Sequence, residues 1–337
     1  MAKTPVAIVG AETLLGREIK ERLEELPVSV RSIGAEPALT LLVGRDEEER
    51  DTLVSPLDED NFTGARVAFL AGAAASSRKA AGLARRLASP PVLIDVAGTL
   101  EESPRARLRA PALEPAGIAL PAGAVHVIPH PAALVLAEFL ARLDRICRLE
   151  SCVAHVFEPA SERGQRGIDE LQRQTVNLLS FKTIPKEVFD AQVAFSLLAG
   201  FGENAPESLA SIETRLERNL ASLLAMSGRG PMPSLRLIQA PVFHGHSFSV
   251  WARFAERPEI GRLAGLLEAA GMDVRAGGLE PPNNVGMANQ SGFAAGAIEA
   301  DRNDSRAAWF WLAADNFRVA ADCAVEVARR LLAEAAP

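Results

Sequence analysis

Short, continuously apolar runs alternate with segments of helical spacing in the first part of the chain. Thr4-Pro-Val-Ala-Ile-Val-Gly10 is a β-branched run too short for a helix, and residues 16–25 follow with Ile19 and Leu23 four apart. That is strand, turn, helix. Further strands are predicted over residues 39–43, 66–70 and 91–95, with a helix over 76–87 between the last two. Apolar strands separated by helices predict a parallel sheet covered on both faces, an α/β first domain of the Rossmann-like, dinucleotide-binding kind. From about Arg148 the elements lengthen. Strands over 149–157, 234–241 and 247–253, with helices over 167–179 and 206–224, predict a second domain of α+β type. Phe317, Ala320, Ala321, Ala324, Val325 and Ala328 then repeat at helix spacing, so a closing helix over 316–335 is expected to return to the first domain.

Composition agrees with two domains. The chain has 337 residues, beyond the ~250 to 300 at which single cores stop growing. Apolar residues make up 48% and charged residues 23%, which excludes a disordered or fibrous chain. The net charge of −7, without a basic face, argues against a nucleic-acid partner. The first apolar stretch has no basic leader and is far too short for a signal core or a membrane span, so a cytoplasmic protein with no membrane association is expected. Cys147, Cys152 and Cys323 have neither paired nor metal-type spacing. Buried, reduced thiols are expected.

Gly10-Ala11-Glu12-Thr13-Leu14-Leu15-Gly16 stands where a dinucleotide fingerprint stands, after a strand and opening a helix. The middle glycine of such a turn lets backbone approach a pyrophosphate, and here it is Thr13. Glu12 brings a carboxylate to the helix end that a phosphate would use. Two readings are open: Thr13 as a helix cap with Glu12 beside the dipole and no ligand, or a weakened cofactor site.

Three further stretches carry a resemblance. Gly164-Gln-Arg-Gly-Ile-Asp-Glu-Leu171, Pro241-Val-Phe-His-Gly-His-Ser247 and Trp311-Leu-Ala-Ala-Asp-Asn-Phe-Arg318 are similar, in order and spacing, to the aspartate-β-semialdehyde dehydrogenases. The resemblance implies a Rossmann-like NAD(P)-binding domain over 1–130 with 313–337, and a dimerisation and catalytic domain over 131–312. It also implies a homodimer acting on aldehydes in amino-acid biosynthesis. In that family a cysteine attacks the aldehyde, a histidine moves the proton, hydride passes to NADP, and phosphate cleaves the thioester.

The matching residues here depart from that chemistry. Within Val127-Ile-Pro-His-Pro-Ala-Ala133 the cysteine position falls on Pro131, beside His130. Removing the nucleophile of a covalent mechanism costs on the order of a millionfold in a serine protease. The base histidine is retained as His246. The substrate arginine becomes Gln239, the phosphate arginine Glu101, the orienting glutamine Glu158, and a substrate- or phosphate-binding lysine Leu209. Arg45 matches the arginine that holds the 2′-phosphate of NADP, but Asp46 and three glutamates follow it, which suits NAD as well or belongs to a solvated loop.

These losses resemble the Usg-type paralogues of the family, which lack the cysteine. Three functional readings stay open: a paralogue without the parent activity, an oxidoreductase on another aldehyde or imine using His246 and Glu158, and a regulatory partner that pairs with an active paralogue as a heterodimer. His244 and His246 have an i, i+2 spacing, but no Cys, Asp or Glu accompanies them at ligand spacing, so no metal is expected. His130 and His155 are read as satisfied polar residues, and Trp309 and Trp311 as core or hinge.

Overall fold

The computed structural model describes residues 3–35, 54–115, 117–118, 120–121 and 123–334. The strand expected over 39–43 and the Arg45 to Glu49 stretch lie outside the described residues. The chain forms two compact units, Met1–Pro129 with Ala320–Pro337, and His130–Val319. The second boundary falls seven residues later than the sequence places it, inside a helix rather than before it.

In the first unit β1 (Thr4–Val9) leads through the glycine turn to α1 (Leu14–Leu23) and β2 (Val28–Ile33). Then come α2 (Glu59–Phe62), β3 (Val67–Leu70), α3 (Ala74–Ala84), β4 (Val92–Asp95), β5 (Ala106–Leu108) and β6 (Val125–Val127). The strands form one sheet of order β2-β1-β3-β4-β6-β5, and each pairing is parallel. Each residue of β3 is buried, as are Val6 to Val9 of β1. This is the pattern of a sheet with both faces covered, and it is why these strands read as unbroken apolar runs. The order reverses at β1, so the carboxyl ends of β1 and β3 form the topological switch point of the sheet.

In the second unit α4 (Pro131–Ile146) is followed by β7 (Leu149–Glu158), a 3₁₀ turn (Ala160–Arg163) and α5 (Gly164–Leu179). Next are α6 (Leu209–Ser227), β8 (Ser234–Gln239), β9 (His246–Phe254), α7 (Ile260–Ala269), β10 (Asp273–Arg275), β11 (Ala294–Ala300), β12 (Ala307–Ala314) and α8 (Asn316–Glu334). Their mixed sheet has the order β10-β11-β12-β9-β7-β8. Along β9 burial alternates strictly: His246, Phe248, Val250, Ala252 and Phe254 are buried, and the residues between them are half-buried. The sheet therefore has one face in the core and one open face. Trp251, Trp309 and Trp311 lie on the open face, where the indole nitrogens of Trp251 and Trp309 both donate to Asp301 Oδ2. Trp309 is 38% exposed, so the expectation of a core or hinge position for it is corrected. Alternation in β12 sends it to the face opposite Phe310.

Two buried polar side chains of α5 order the long segment behind it. Glu170 accepts the Val188 and Phe189 amides, and Gln174 accepts those of Val193 and Ala194 while donating to Pro185 and Ala191. Asp315 caps α8 through the Phe317 and Arg318 amides. The rest of α8 belongs to the first unit from Ala320 on, where Asp322 pairs with Arg22 and Arg330 donates to the Pro111 carbonyl. Among the described residues no helix is long and apolar enough to cross a membrane.

Candidate functional site

The glycine turn is built as the sequence suggests, and the Thr13 hydroxyl, the Gly16 amide and one oxygen of Glu12 are engaged within the protein. Gly10 has φ +86°, and a Cβ there would come within 2.6 Å of both Gly72 N and Gly72 Cα, the backbone just beyond β3. A Cβ on Gly16 would sit 2.0 Å from the Gly10 carbonyl oxygen. Both glycines are needed for strand and helix to pack. Thr13 is the N-cap of α1: its hydroxyl accepts the Gly16 amide at 3.0 Å and lies within hydrogen-bond reach of the Gly10 and Ala71 carbonyls. Glu12 does not sit on the helix dipole but takes the Ala35 amide, just beyond β2, at 2.7 Å. Ala11 is buried, and Leu14 and Leu15 are half-buried. The turn keeps the close-packed backbone of a dinucleotide turn, but the Gly16 amide is taken and a carboxylate lies alongside.

The second unit gathers a different set of residues. Glu158 ends β7, Gln239 ends β8, His246 starts β9 and Ala314 ends β12, and the pairings Glu158 with Gln239 and His246 with Ala314 put these ends side by side. His130 joins them as the N-cap of α4, with Pro131 at the first helical position, where a missing N–H costs nothing. Its amide donates to Asn219 Oδ1 and its Nδ1 accepts the Ala132 amide at 3.2 Å. The His130 and His246 ring centroids are 5.6 Å apart.

Two residues of the 3₁₀ turn complete the cluster. Arg163 donates to Glu158 Oε1 at 2.9 Å and to Glu207 at 2.6 Å. Asn316 donates to Glu162 Oε1 at 2.8 Å. Glu162 lies 3.7 Å from His130 Nε2 and 4.0 Å from His246 Nε2, and Glu158 Oε2 lies 3.8 Å from His130 Nε2. Burial pushes the His130 imidazole down to about 3, with Glu162 opposing and Arg215, His246 and Arg163 assisting. Burial lowers His246 as well, against Glu162 and Asp315. Burial lifts the Glu158 carboxyl to about 7 although Arg163 pulls it down. Burial also works against the Glu162 carboxylate, but the neighbouring His130, His246 and Arg163 together hold it below its ordinary range. Burial thus disfavours charge on both imidazoles and on Glu158, whereas Glu162 is the carboxyl held toward its ionised form.

The other sequence candidates fall elsewhere. Gln239 spends its amide nitrogen on the Glu158 and Ala240 carbonyls. Leu209 is buried at the start of α6, and Glu101 lies in the turn after β4 of the first unit. His244 is exposed with its ring 5.9 Å from Phe317, so it does not share a site with His246. His155 is three residues from Glu158 on β7 and points to the opposite face. His130 was expected to be satisfied, yet its Nε2 has no hydrogen-bond partner. Glu162 and Arg163 were missed, although a charged pair directly after the Glu158 strand is visible in the sequence.

The semialdehyde dehydrogenase dimerisation domain matches residues 140–319. The chain belongs to the semialdehyde dehydrogenase family. Over 332 residues it is 31% identical to the USG-1 protein homolog of Pseudomonas aeruginosa, covering 93% of each chain. A solved structure of a probable aspartate-semialdehyde dehydrogenase from Pseudomonas aeruginosa superposes with a TM-score of 0.83 at 29% identity, covering 98% of both chains. Aspartate semialdehyde dehydrogenase with NADP from Candida albicans shares the fold, with a TM-score of 0.68 at 14% identity over 98% of this chain and 99% of that one. This family member therefore has the two-part α/β architecture implied by its motifs.

Proposed function

We propose that this semialdehyde dehydrogenase-family protein does not perform the thiol-dependent oxidation of aspartate semialdehyde, and that it acts in the cytoplasm as a dimeric, diverged paralogue of the enzyme. The observation that carries this reading is Pro131 at the first position of α4, where the family resemblance places the nucleophile. No thiol of the second unit can replace it. Cys147 is at the far end of α4, about 24 Å along a helix of this length, and Cys152 is six residues from Glu158 on β7, about 20 Å along a strand. Burial raises both thiols, Cys152 to about 12, so neither supplies thiolate near neutral pH.

The filled glycine turn supports weak or lost binding of NADP or NAD. The dimerisation-domain match and the open, Trp-bearing face of the second sheet support a homodimer, and the same face suits a heterodimer with an active paralogue. A second reading rests on His246 beside Glu158 and Glu162, which together can move a proton on a bound carbonyl without a covalent step.

The test is a coupled assay with aspartate semialdehyde, phosphate and NADP or NAD, on the protein and on Pro131→Cys. Neither is expected to exceed blank, because Gln239, Leu209 and the capped glycine turn also differ from what the reaction needs. Turnover of family size by the unaltered protein would overturn the proposal.

A further inference from the structure

The buried polar atoms without a partner in this part of the second unit gather at the centre of the cluster, with Arg163 Nε and Gln239 Oε1 beside it. Glu158 gives Oε1 to Arg163 and Glu162 gives Oε1 to Asn316, so both carboxylates are oriented by a donor outside the cluster. Inside it, Glu158 Oε2, His130 Nε2 and both ring nitrogens of His246 have no hydrogen-bond partner, and all three side chains are at most 1% exposed. One ligand atom from each of the three lies within 4.8 Å of the others. Orphaned polar atoms are rare in folded interiors, and four at one point form a donor set rather than scattered defects.

We propose that His130, Glu158 and His246 form a binding site for one divalent transition-metal ion, zinc foremost, with the Glu162 carboxylate beside it. Two imidazoles and a carboxylate suit zinc and its neighbours and disfavour calcium and magnesium, which take oxygen ligands. A tetrahedral zinc with bonds near 2.0 to 2.2 Å sets its ligand atoms roughly 3.3 to 3.6 Å apart. His130 Nε2 and Glu158 Oε2 are 3.8 Å apart and the ligand atoms of the set all lie within 4.8 Å of one another, so the side chains must draw together by up to about 1.5 Å to take the ion. Arg163 on Glu158 and Asn316 on Glu162 are the outer partners that hold the carboxylates in place.

Two features oppose the ion and set its affinity. Because Nδ1 of His130 accepts the Ala132 amide, the ring proton sits on Nε2, and metal binding requires it to move to Nδ1 and release that cap. Arg163 and Arg215 also add positive charge near the centre, countered by Glu158, Glu162 and Glu207. The inference rests on this geometry and not on the loss of thiol chemistry.

The test uses the whole protein, stripped of metal with a chelator and titrated with Zn²⁺ by calorimetry and with Co²⁺ by visible absorption. The expected result is one ion per chain, the intense visible bands of four- or five-coordinate cobalt, and a higher unfolding temperature in zinc. His246→Ala and Glu158→Gln should each weaken binding by about 100-fold or more, and the exposed His244→Ala should not change it. Absence of saturable binding to the unaltered protein below about 1 mM would overturn the proposal. So would binding that survives both His246→Ala and Glu158→Gln, or a cobalt spectrum of purely six-coordinate character.

Discussion

Gly167 holds the 3₁₀ turn that carries Glu162 and Arg163 against the first turn of α5, and Gly167→Ala tests that contact. A Cβ at this position would lie 2.2 Å from the Ala160 carbonyl oxygen and 2.7 Å from Arg163 Cβ. Ordinary contact begins at 3.4 Å, so the turn must withdraw by about 1 Å. Alanine should help the helix by ~1 kcal/mol, but overpacking against backbone costs ~1 to 3 kcal/mol, and withdrawal also loosens Arg163 from the buried Glu158. The net expectation is a loss of about 1 to 3 kcal/mol in the second unit. Gly265→Ala is the matched control. It lies in α7 of the same unit, a Cβ there meets nothing within 4 Å, and a gain of ~0.8 to 1 kcal/mol is expected. Urea unfolding followed by tryptophan fluorescence suits the pair, because Trp251, Trp309 and Trp311 all belong to the second unit. If Gly167→Ala raises the midpoint as Gly265→Ala does, the close approach and the positioning of Arg163 argued from it are wrong.

Burial, assisted by Arg109 and opposed by Glu114, lowers His126 to about 4, so the folded first unit excludes a proton that the unfolded chain binds below about 6.5. This contribution is full above pH 6.5 and lost as pH falls to 4; it amounts to about 3 kcal/mol, and the difference between His126→Gln and the unaltered protein in urea unfolding should change by that amount across the window. Trp309→Ala removes an exposed aromatic from the open sheet face and should weaken self-association by about 2 kcal/mol, roughly thirtyfold, in sedimentation equilibrium; an unchanged dimer would place the interface elsewhere.

In the first unit the strands that the sequence reveals are those whose side chains are mostly buried. β1, β3 and β4 stand out because parallel strands under two helix layers need no polar face. β2 is missed because its burial order is buried, exposed, intermediate, exposed, intermediate, buried, and it carries Ser29, Arg31 and Ser32 behind Pro27. In the site, His246 and Glu158 are found through the motifs around them. Their grouping with His130 is not, because 116 residues separate the two histidines and only the docking of the α4 start beside the β9 start brings them together. Metal spacing rules read ligands along one element, and this cluster draws on α4, β7, β9 and a turn. The Arg163 to Glu158 pair likewise depends on the 3₁₀ turn reversing the chain, which no periodicity announces.

The passage of α8 from the second unit into the first has a consequence for biosynthesis. Ala320, Ala321, Ala324, Val327 and Ala328 are buried, and Asp322 and Arg330 tie the helix to Arg22 and Pro111. The first unit to leave the ribosome is thus the last to be completed. At ~5 to 20 residues per second, the roughly 190 residues of His130–Val319 take about 10 to 40 s to synthesise, and the parallel sheet waits that long for its final helix. Nascent chains arrested before residue 320 should therefore expose apolar surface on an otherwise formed first unit, making this interval the one in which a chaperone has most to do.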